Sequence, residues 1–161
     1  MTLANPQEAY DLLEKLNISF EKLEHVPITS VENLDFKLPG QQVKNLFLKD
    51  KKSRRFYLVL LHDEKQANLS LLAESLGEKK LSFARDEQVR DLLRVQPGTI
   101  TPLSLIFDSD HKIQMVVDSQ VDQTLTIGVH PFINDTTLNI KFIDFKRFLE
   151  YTGHELRVVD S

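Results

Sequence analysis

The chain has 161 residues, of which 41% are hydrophobic, with a formal net charge of −4 and no cysteine. This length predicts one domain over residues 1–161, and the lack of cysteine excludes disulfides, thiolate metal sites and a cysteine nucleophile. With no membrane-length apolar run and no cationic-then-apolar leader after Met1, we expect a soluble, cytoplasmic protein that acts as a monomer away from membranes.

The first half of the chain alternates helix and strand signals. Asn5 can cap a helix that starts at Pro6, and its apolar stripe recurs at Ala9, Leu12, Leu13 and Leu16. There follow a strand at 19–26, a short helix at 29–38, strands at 42–49 and 55–62, and a helix at 68–76 that ends at Gly77. The strand at 55–62 is apolar on both faces, which predicts a central position in the sheet.

The strand at 42–49 places a lysine beside apolar residues. Lys44 shares a face with Leu46 and Leu48, whereas Val43, Asn45 and Phe47 share the other face. A lysine in this position either extends its amine into solvent or meets an anion, and the sequence leaves both open.

The segment 37–55 is strongly basic. Its seven cations and single acidic residue, Asp50, give it a charge of +6. Because the net charge of the chain is −4, the remaining residues together carry −10. A basic stripe on an acidic body fits a protein that grips a polyanion at one place. The loop that holds Lys51, Lys52 and Arg54 is explained equally well as a solvated hairpin turn.

The second half contains more strands. We predict a short strand that ends at Phe83, a helix capped by Asp86, a turn at Pro97–Gly98, a hairpin of 103–107 with 112–117, strands at 124–130 and 138–142, a helix that stops at Gly153, and a strand at 154–159. Strands outnumber helices and several are adjacent, which predicts an α+β fold with a mixed, partly closed sheet flanked by helices.

The stretch 128–137 looks most like a built site. Pro131 restricts the residue before it, His130, to an extended conformation, and Gly128 lets another molecule approach the backbone. Alternation places Leu125, Ile127 and Val129 on the core face and His130 on the opposite face. A wall of small residues that ends in a fixed imidazole can form a pocket, although spacing alone favours a strand that runs into a turn with His130 bonded locally.

Common catalytic signatures are missing. There is no phosphate-binding loop, nucleophile elbow, zinc-binding H-E-x-x-H or dinucleotide fingerprint. The five histidines, at 25, 62, 111, 130 and 154, fall at no metal-ligand spacing, and we expect them to be surface or capping residues.

Taken together, five motifs resemble the YbaK/ProX family of prolyl-tRNA editing proteins. They are 43–48 (VKNLFL), 80–84 (KLSFA), 97–102 (PGTITP), 128–131 (GVHP) with Asn134 and Thr137, and 152–155 (TGHE). The match runs in order over nearly the whole chain. The subgroup it resembles most is the free-standing one that removes alanine from mischarged proline tRNA.

The resemblance implies a set of site residues. It gives Lys44 contact with the terminal adenosine and its phosphate, Asn45 a part in shaping the site, and Gly128, Val129, His130 and Pro131 the aminoacyl pocket. The neighbours implied are Lys80, Ser82, Thr101, Asn134 and Thr137, and the basic residues expected on the tRNA backbone are Lys49, Lys51, Lys52 and Arg54. No cofactor, metal or protein nucleophile is implied, so a positioned water and the tRNA 2′-hydroxyl would carry the chemistry.

The partners implied are the acceptor end of tRNA(Pro) and, second, prolyl-tRNA synthetase. A deacylase for Cys-tRNA(Pro) or another small amino acid follows the same logic, because a synthetase pocket that admits proline rejects a smaller analogue by only about 1–3 kcal/mol per missing methylene. A hypothesis of another class is a non-catalytic module that binds the tRNA acceptor end. A sheet protein with a merely solvated basic loop would neither bind nor hydrolyse.

Overall fold

The structure is a computed structural model that describes residues 2–25 and 40–161. Its α-helices are α1 (Pro6–Lys15), α2 (Leu69–Leu76), α3 (Asp86–Gln88), which continues as a π-helix over Val89–Leu93, and α4 (Phe142–Thr152). Its strands are β1 (Glu21–Glu24), β2 (Val43–Asp50), β3 (Phe56–His62), β4 (Leu81–Phe83), β5 (Ile113–Asp118), β6 (Thr126–Val129), β7 (Thr136–Lys141) and β8 (Leu156–Val159). The helix predicted at 29–38 lies outside the described residues.

The strands form two sheets. One has the order β1-β7-β6 and is antiparallel, and the other has the order β4-β2-β3-β5-β8, in which β3 pairs with β5 and β5 with β8 in parallel. The predicted α+β class is confirmed, although the described strands divide between two sheets instead of forming one partly closed sheet. The β3 strand is central, as its apolar faces predict, and only its last residue is not fully buried.

The five-stranded sheet separates two hydrophobic clusters. One face, with Phe47 and Leu58, joins the inner face of the three-stranded sheet, α1 and α4 in the main core. The other face, with Leu48 and Val59, packs against α2. The sequence prediction for β2 is confirmed, because Phe47 belongs to the first cluster and Leu46 and Leu48 to the second.

Local capping agrees with the sequence at three helix ends. The Asn5 side chain accepts the backbone N–H of Glu8, α2 ends at Gly77 with a positive φ of 74°, and α4 ends at Gly153 with a positive φ of 82°. None of the helices in the described part of the chain is long and apolar enough to cross a membrane.

Four local predictions are wrong. Residues Pro102–Phe107 form a buried 3₁₀ helix and not a hairpin strand, because Thr101 caps it and Pro102 fixes its first turn. The cap before α3 is Arg85, whose N–H bonds the Gln88 side chain, and Asp86 is the first helical residue. Phe142 begins α4 instead of ending a strand. Leu125 lies before β6 and is exposed.

Candidate active site

The three-stranded sheet has an apolar inner face and a polar outer face. Ile127, Val129, Leu138 and Ile140 are almost fully buried in the main core. The alternate residues of β6 and β7 form the outer face, where Gly128 is paired with Asn139. His130 follows β6 on this side, as the alternation predicts. Val129 points to the core, so its side chain does not share a surface with His130.

Gly128 and Thr137 are in close contact on the outer face. A Cβ atom added to Gly128 would lie 2.8 Å from Thr137 Cγ2, closer than real side chains allow. The space that the glycine leaves is therefore filled by a threonine methyl group and not open to a ligand. Thr137 itself is held in place, because its hydroxyl lies 2.8 Å from His25 Nε2.

His130 is fixed by a hydrogen bond at one ring nitrogen. Its Nδ1 lies 3.0 Å from the carbonyl oxygen of Thr136. A carbonyl only accepts, so Nδ1 carries the proton and, in the neutral ring, Nε2 presents a lone pair. Burial lowers the pKa of His130 below the usual 6.5; the Thr136 carbonyl opposes this effect and nearby His25 adds to it. At neutral pH the imidazole is therefore an uncharged acceptor.

A second histidine, His25, lies beside His130. The two ring centroids are 6.5 Å apart, and the His25 backbone N–H donates to the carbonyl of Asp135 at 2.8 Å. Sequence reasoning treated His25 as a surface or capping residue and missed this position. The available signal was its place at the end of a short strand, two residues before Pro27, but nothing in the sequence pairs that strand with β7.

The loop after His130 packs against the core through the Phe132 ring. Phe132 has a φ of 64°, an unusual conformation for an aromatic residue, and its ring lies 5.5 Å from that of Phe107. Pro131 is buried and Asn134 is half-buried. Thr101 is fully buried at the start of the 3₁₀ helix that carries Phe107, where its hydroxyl caps the Leu103 N–H. It therefore supports the loop from within the core.

The entry of β2 is joined to β6. Gln41 forms a parallel bridge with Ile127, and its backbone N–H donates to the Thr126 carbonyl at 3.0 Å. Both chains leave this bridge in the same direction, and Lys44 and His130 each follow it by three residues. The two sequence-predicted residues thus lie on the same side of this bridge.

Lys44 and Asn45 lie on opposite faces of β2. Lys44 is half-buried and forms no ion pair with any residue in 2–25 or 40–161. Asn45 turns toward the main core, where its Oδ1 is buried without a hydrogen-bond partner among the described residues. Asn139, on the outer face, also has a buried and unbonded Oδ1 within that part of the chain. Such orphaned oxygens are costly unless a ligand or water satisfies them.

Other predicted residues lie at the far end of β2. Ser82 pairs with Lys49, and Leu81, next to Lys80, pairs with Asp50. Lys44 is six residues from Asp50, about 20 Å along the strand. The structure therefore does not bring Lys80 and Ser82 next to Lys44.

Lys80 instead joins the basic loop. A cavity of about 480 Å³ lies between the β2–β3 turn and the α2–β4 connection. Its cations without an ion pair among the residues that the structure describes are Lys51, Lys52, Arg54, Lys79 and Lys80. Arg55 is neutralised, because Glu78 accepts its Nε and Nη2 at 2.8 Å each and also accepts the Tyr57 hydroxyl. The hydrogen bonds from Arg55 hold the pKa of Glu78 below its usual value, so this carboxylate stays charged.

A separate histidine is buried as part of the fold. His154 Nε2 lies 2.8 Å from Asp108 Oδ2, and Asp108 also accepts the backbone N–H groups of Lys112 and Ile113. The expectation that all five histidines are surface or capping residues is wrong for His154. Within the described ranges, no group of three or more His, Asp or Glu side chains could hold a metal ion.

Comparison with known proteins agrees with the motifs. The model of the aminoacyl-tRNA editing domain matches residues 26–148. The prolyl-tRNA editing protein ProX of Acetoanaerobium sticklandii is 27% identical over 151 residues, which cover 92% of each chain. Prolyl-tRNA synthetase associated domain-containing protein 1 of Danio rerio is 36% identical over 153 residues, or 92% of this chain and 83% of that protein.

Solved structures share the fold. The structure of hypothetical protein APE2540 has a TM-score of 0.69 at 19% identity and covers 96% of this chain and 99% of its own. A structure described as "a putative trans-editing enzyme for prolyl tRNA synthetase" has a TM-score of 0.66 at 17% identity and covers 99% of both chains. The matched domain model spans most of the sequence, and the chain belongs to the aminoacyl-tRNA editing domain family.

Proposed function

We propose that the protein hydrolyses the ester bond of mischarged tRNA(Pro), with alanine as the preferred acyl group. Family membership makes it an aminoacyl-tRNA hydrolase with tRNA as its substrate. Relatives carry prolyl-tRNA editing or prolyl-tRNA synthetase in their names, which supports tRNA(Pro) as the tRNA and the synthetase as the enzyme whose errors are corrected.

The observation that carries the proposal is the state of His130. Its Nδ1 is committed to the Thr136 carbonyl, which fixes the ring and leaves Nε2 as an uncharged acceptor. An acceptor of this kind can hold a water molecule or the 2′-hydroxyl of the terminal adenosine. We assign His130 to positioning and hydrogen bonding, with Lys44 as the cation for the adenosine phosphate.

We propose that the acyl group is selected by size, and the rigidity of the residues around His130 supports this. The Thr137 methyl group covers Gly128, and Pro131 and Phe132 make the loop after His130 rigid. These surfaces favour a methyl side chain over a pyrrolidine ring. The same geometry admits cysteine or another small amino acid, which is the nearest alternative substrate.

Thr137 offers a different mechanism that an experiment can separate. Its hydroxyl lies 2.8 Å from His25 Nε2, a spacing that also suits a nucleophile and its base. We propose that the pair is structural and that water is the nucleophile. Thr137→Val, which keeps the shape, should then retain turnover within about tenfold, whereas a nucleophilic threonine would lose nearly all of it.

The main test is a deacylation assay with tRNA(Pro) charged with alanine, cysteine, serine or proline. We expect alanine to be released fastest and proline to be retained. Lys44→Met removes the charge but keeps the aliphatic stem, and it should lower kcat/KM by about 100-fold. Lys112→Met is the matched control, because Lys112 is exposed directly before β5.

Three results would contradict parts of this proposal. Hydrolysis of Pro-tRNA(Pro) as fast as Ala-tRNA(Pro) would refute the size sieve, and activity of Lys44→Met within a few fold of wild type would refute the role of Lys44. Full-rate cleavage of a tRNA that ends in 2′-deoxyadenosine would remove the substrate hydroxyl from the mechanism. Tight tRNA binding with no turnover of any charged tRNA would favour the non-catalytic binding module.

A further inference from the structure

Phe83 is a large aromatic residue in an unusual position. It is 58% exposed and ends the three-residue edge strand β4. The ladder continues beyond it, because the Ala84 N–H donates to the Phe47 carbonyl at 2.9 Å. Backbone pairing with β2 therefore fixes the residues before and after Phe83, while the Phe83 ring itself is exposed to solvent. Single exposed apolar side chains are common, so the neighbours decide whether this one has a function.

Strand register gives those neighbours. Phe83 pairs with Leu48, so both project from the face that α2 partly covers. On this face the diagonal neighbour is Leu46, which is half-buried, and two residues further along β2 is Lys44. Lys44 is about 13 Å from Leu48 along the strand.

Cations lie on both sides of the exposed ring along β4. Lys80 precedes the strand in the basic cavity, and the exposed Arg85 follows Phe83 by two residues. Among residues 2–25 and 40–161, the ion-pair partner of Arg85 is Glu87, and both side chains are more than half exposed, so this ion pair is weak and can open to a phosphate. An aromatic ring between cations is the arrangement that binds single-stranded nucleic acid, in which bases stack on rings and phosphates meet the cations.

We propose that Phe83 is a stacking platform for an unpaired base of the tRNA acceptor end, on a path between the basic cavity and Lys44. This inference rests on the proposed function for the identity of the RNA. It adds a contact that orients the single strand before the ester reaches the site. Phe83 is a positioning residue, because it pairs with Leu48, about 13 Å along the strand from Lys44, and the proposal gives it no contact with the reacting atoms.

The test measures binding of an uncharged RNA hairpin that carries the acceptor stem and its unpaired 3′ end. Phe83→Ala should weaken binding by about fivefold or more, whereas Phe83→Trp should bind at least as well as wild type. The slope of log Kd against log salt should not change in Phe83→Ala, because no cation is lost. Ile143→Ala, which alters a residue that is 63% exposed at the start of α4, is the matched control and should bind like wild type.

A second readout locates the stacked base. 2-Aminopurine placed at one unpaired position at a time should change fluorescence on binding to wild type at one position, and that change should be lost in Phe83→Ala. Binding of Phe83→Ala within twofold of wild type would overturn the proposal, as would equal fluorescence changes in both proteins. Because this RNA carries no amino acid, absence of deacylation of any charged tRNA would refute the proposed function without altering this result.

Discussion

Replacing Gly128 with alanine places a methyl group against Thr137, and the geometry gives the size of the conflict. The new Cβ would lie 2.8 Å from Thr137 Cγ2. Thr137 cannot simply rotate away, because its hydroxyl is bonded to His25 Nε2 and its side chain is almost fully buried. Gly128 is not among the residues with positive φ, so the backbone accepts alanine and only the contact opposes it.

Overpacking of this kind costs about 1–3 kcal/mol. For a chain of this size, that predicts a Tm lower by roughly 2–12 °C. Deacylation should also slow, because a displaced Thr137 disturbs His25 beside His130. Thermal and urea unfolding of Gly128→Ala, with wild-type protein as reference, measure the first effect, and the Ala-tRNA(Pro) assay measures the second.

A double-mutant cycle identifies the cause. Thr137→Ser removes the methyl group and keeps the hydroxyl, so alone it should cost about 1 kcal/mol. In the Thr137→Ser background, Gly128→Ala should cost almost nothing, which gives a coupling of at least about 1 kcal/mol. If Gly128→Ala destabilises both backgrounds equally, or neither, the Gly128–Thr137 contact is not what requires glycine.

Three further predictions concern charge and pH. Neutralising Lys51, Lys52 and Arg54 should weaken tRNA binding and reduce the slope of log K against log salt by roughly 0.7–0.9 per lost phosphate contact. An unchanged slope would show that these side chains do not contact phosphates. The deacylation rate should not fall with a midpoint at pH 6.5, because burial holds the pKa of His130 below that value, and a rate midpoint at 6.5 or above would contradict this. The contribution of the neutral His130 ring to the free energy of unfolding is present above pH 6.5 and is lost as the pH falls through the lower pKa of the folded state. Asp108→Asn should lower the free energy of unfolding at pH 7 by about 1.5–3 kcal/mol, because a buried charged hydrogen bond to His154 is lost, and equal urea midpoints for the two proteins would refute this. Although burial favours the protonated acid, the hydrogen bonds from His154 and two backbone N–H groups hold the pKa of Asp108 below 3.8. The stability that the Asp108 carboxylate contributes is therefore present above pH 3.8 and is lost as the pH falls through the pKa of the folded state.

The sequence predicted most of the regular elements for physical reasons that act locally. Asn5 with Pro6 set the start of α1, the glycines set the ends of α2 and α4, and the apolar faces of β3 placed it centrally. Alternation also separated His130 from the core residues of β6. These signals depend on neighbours within a few residues, which a sequence displays directly.

The sequence failed where a distant contact decides the outcome. One exception is local: the apolar run at 103–107 has the composition of a strand, but Thr101 and Pro102 start a 3₁₀ helix whose first four residues are buried. The His25–Thr137 contact joins residues 112 positions apart, and only the pairing of β1 with β7 creates it. The pairing of β4 with β2 likewise decides the position of Lys80, which lines the basic cavity and lies far from Lys44.

On the proposed function, the alternation of β6 separates residues that stabilise the core from the residue that faces the acyl group. Val129 and Ile127 are buried in the main core, so they contribute to the free energy of folding through apolar burial. His130 lies on the other side, where the proposed function places the acyl group. A change of preferred amino acid can therefore arise on the outer face while the inner face stays constant. This separation predicts that His130→Ala loosens selectivity between alanine and larger acyl groups more than it lowers turnover, as a panel of charged tRNAs would measure; loss of all turnover with unchanged selectivity would instead place His130 in the chemical step.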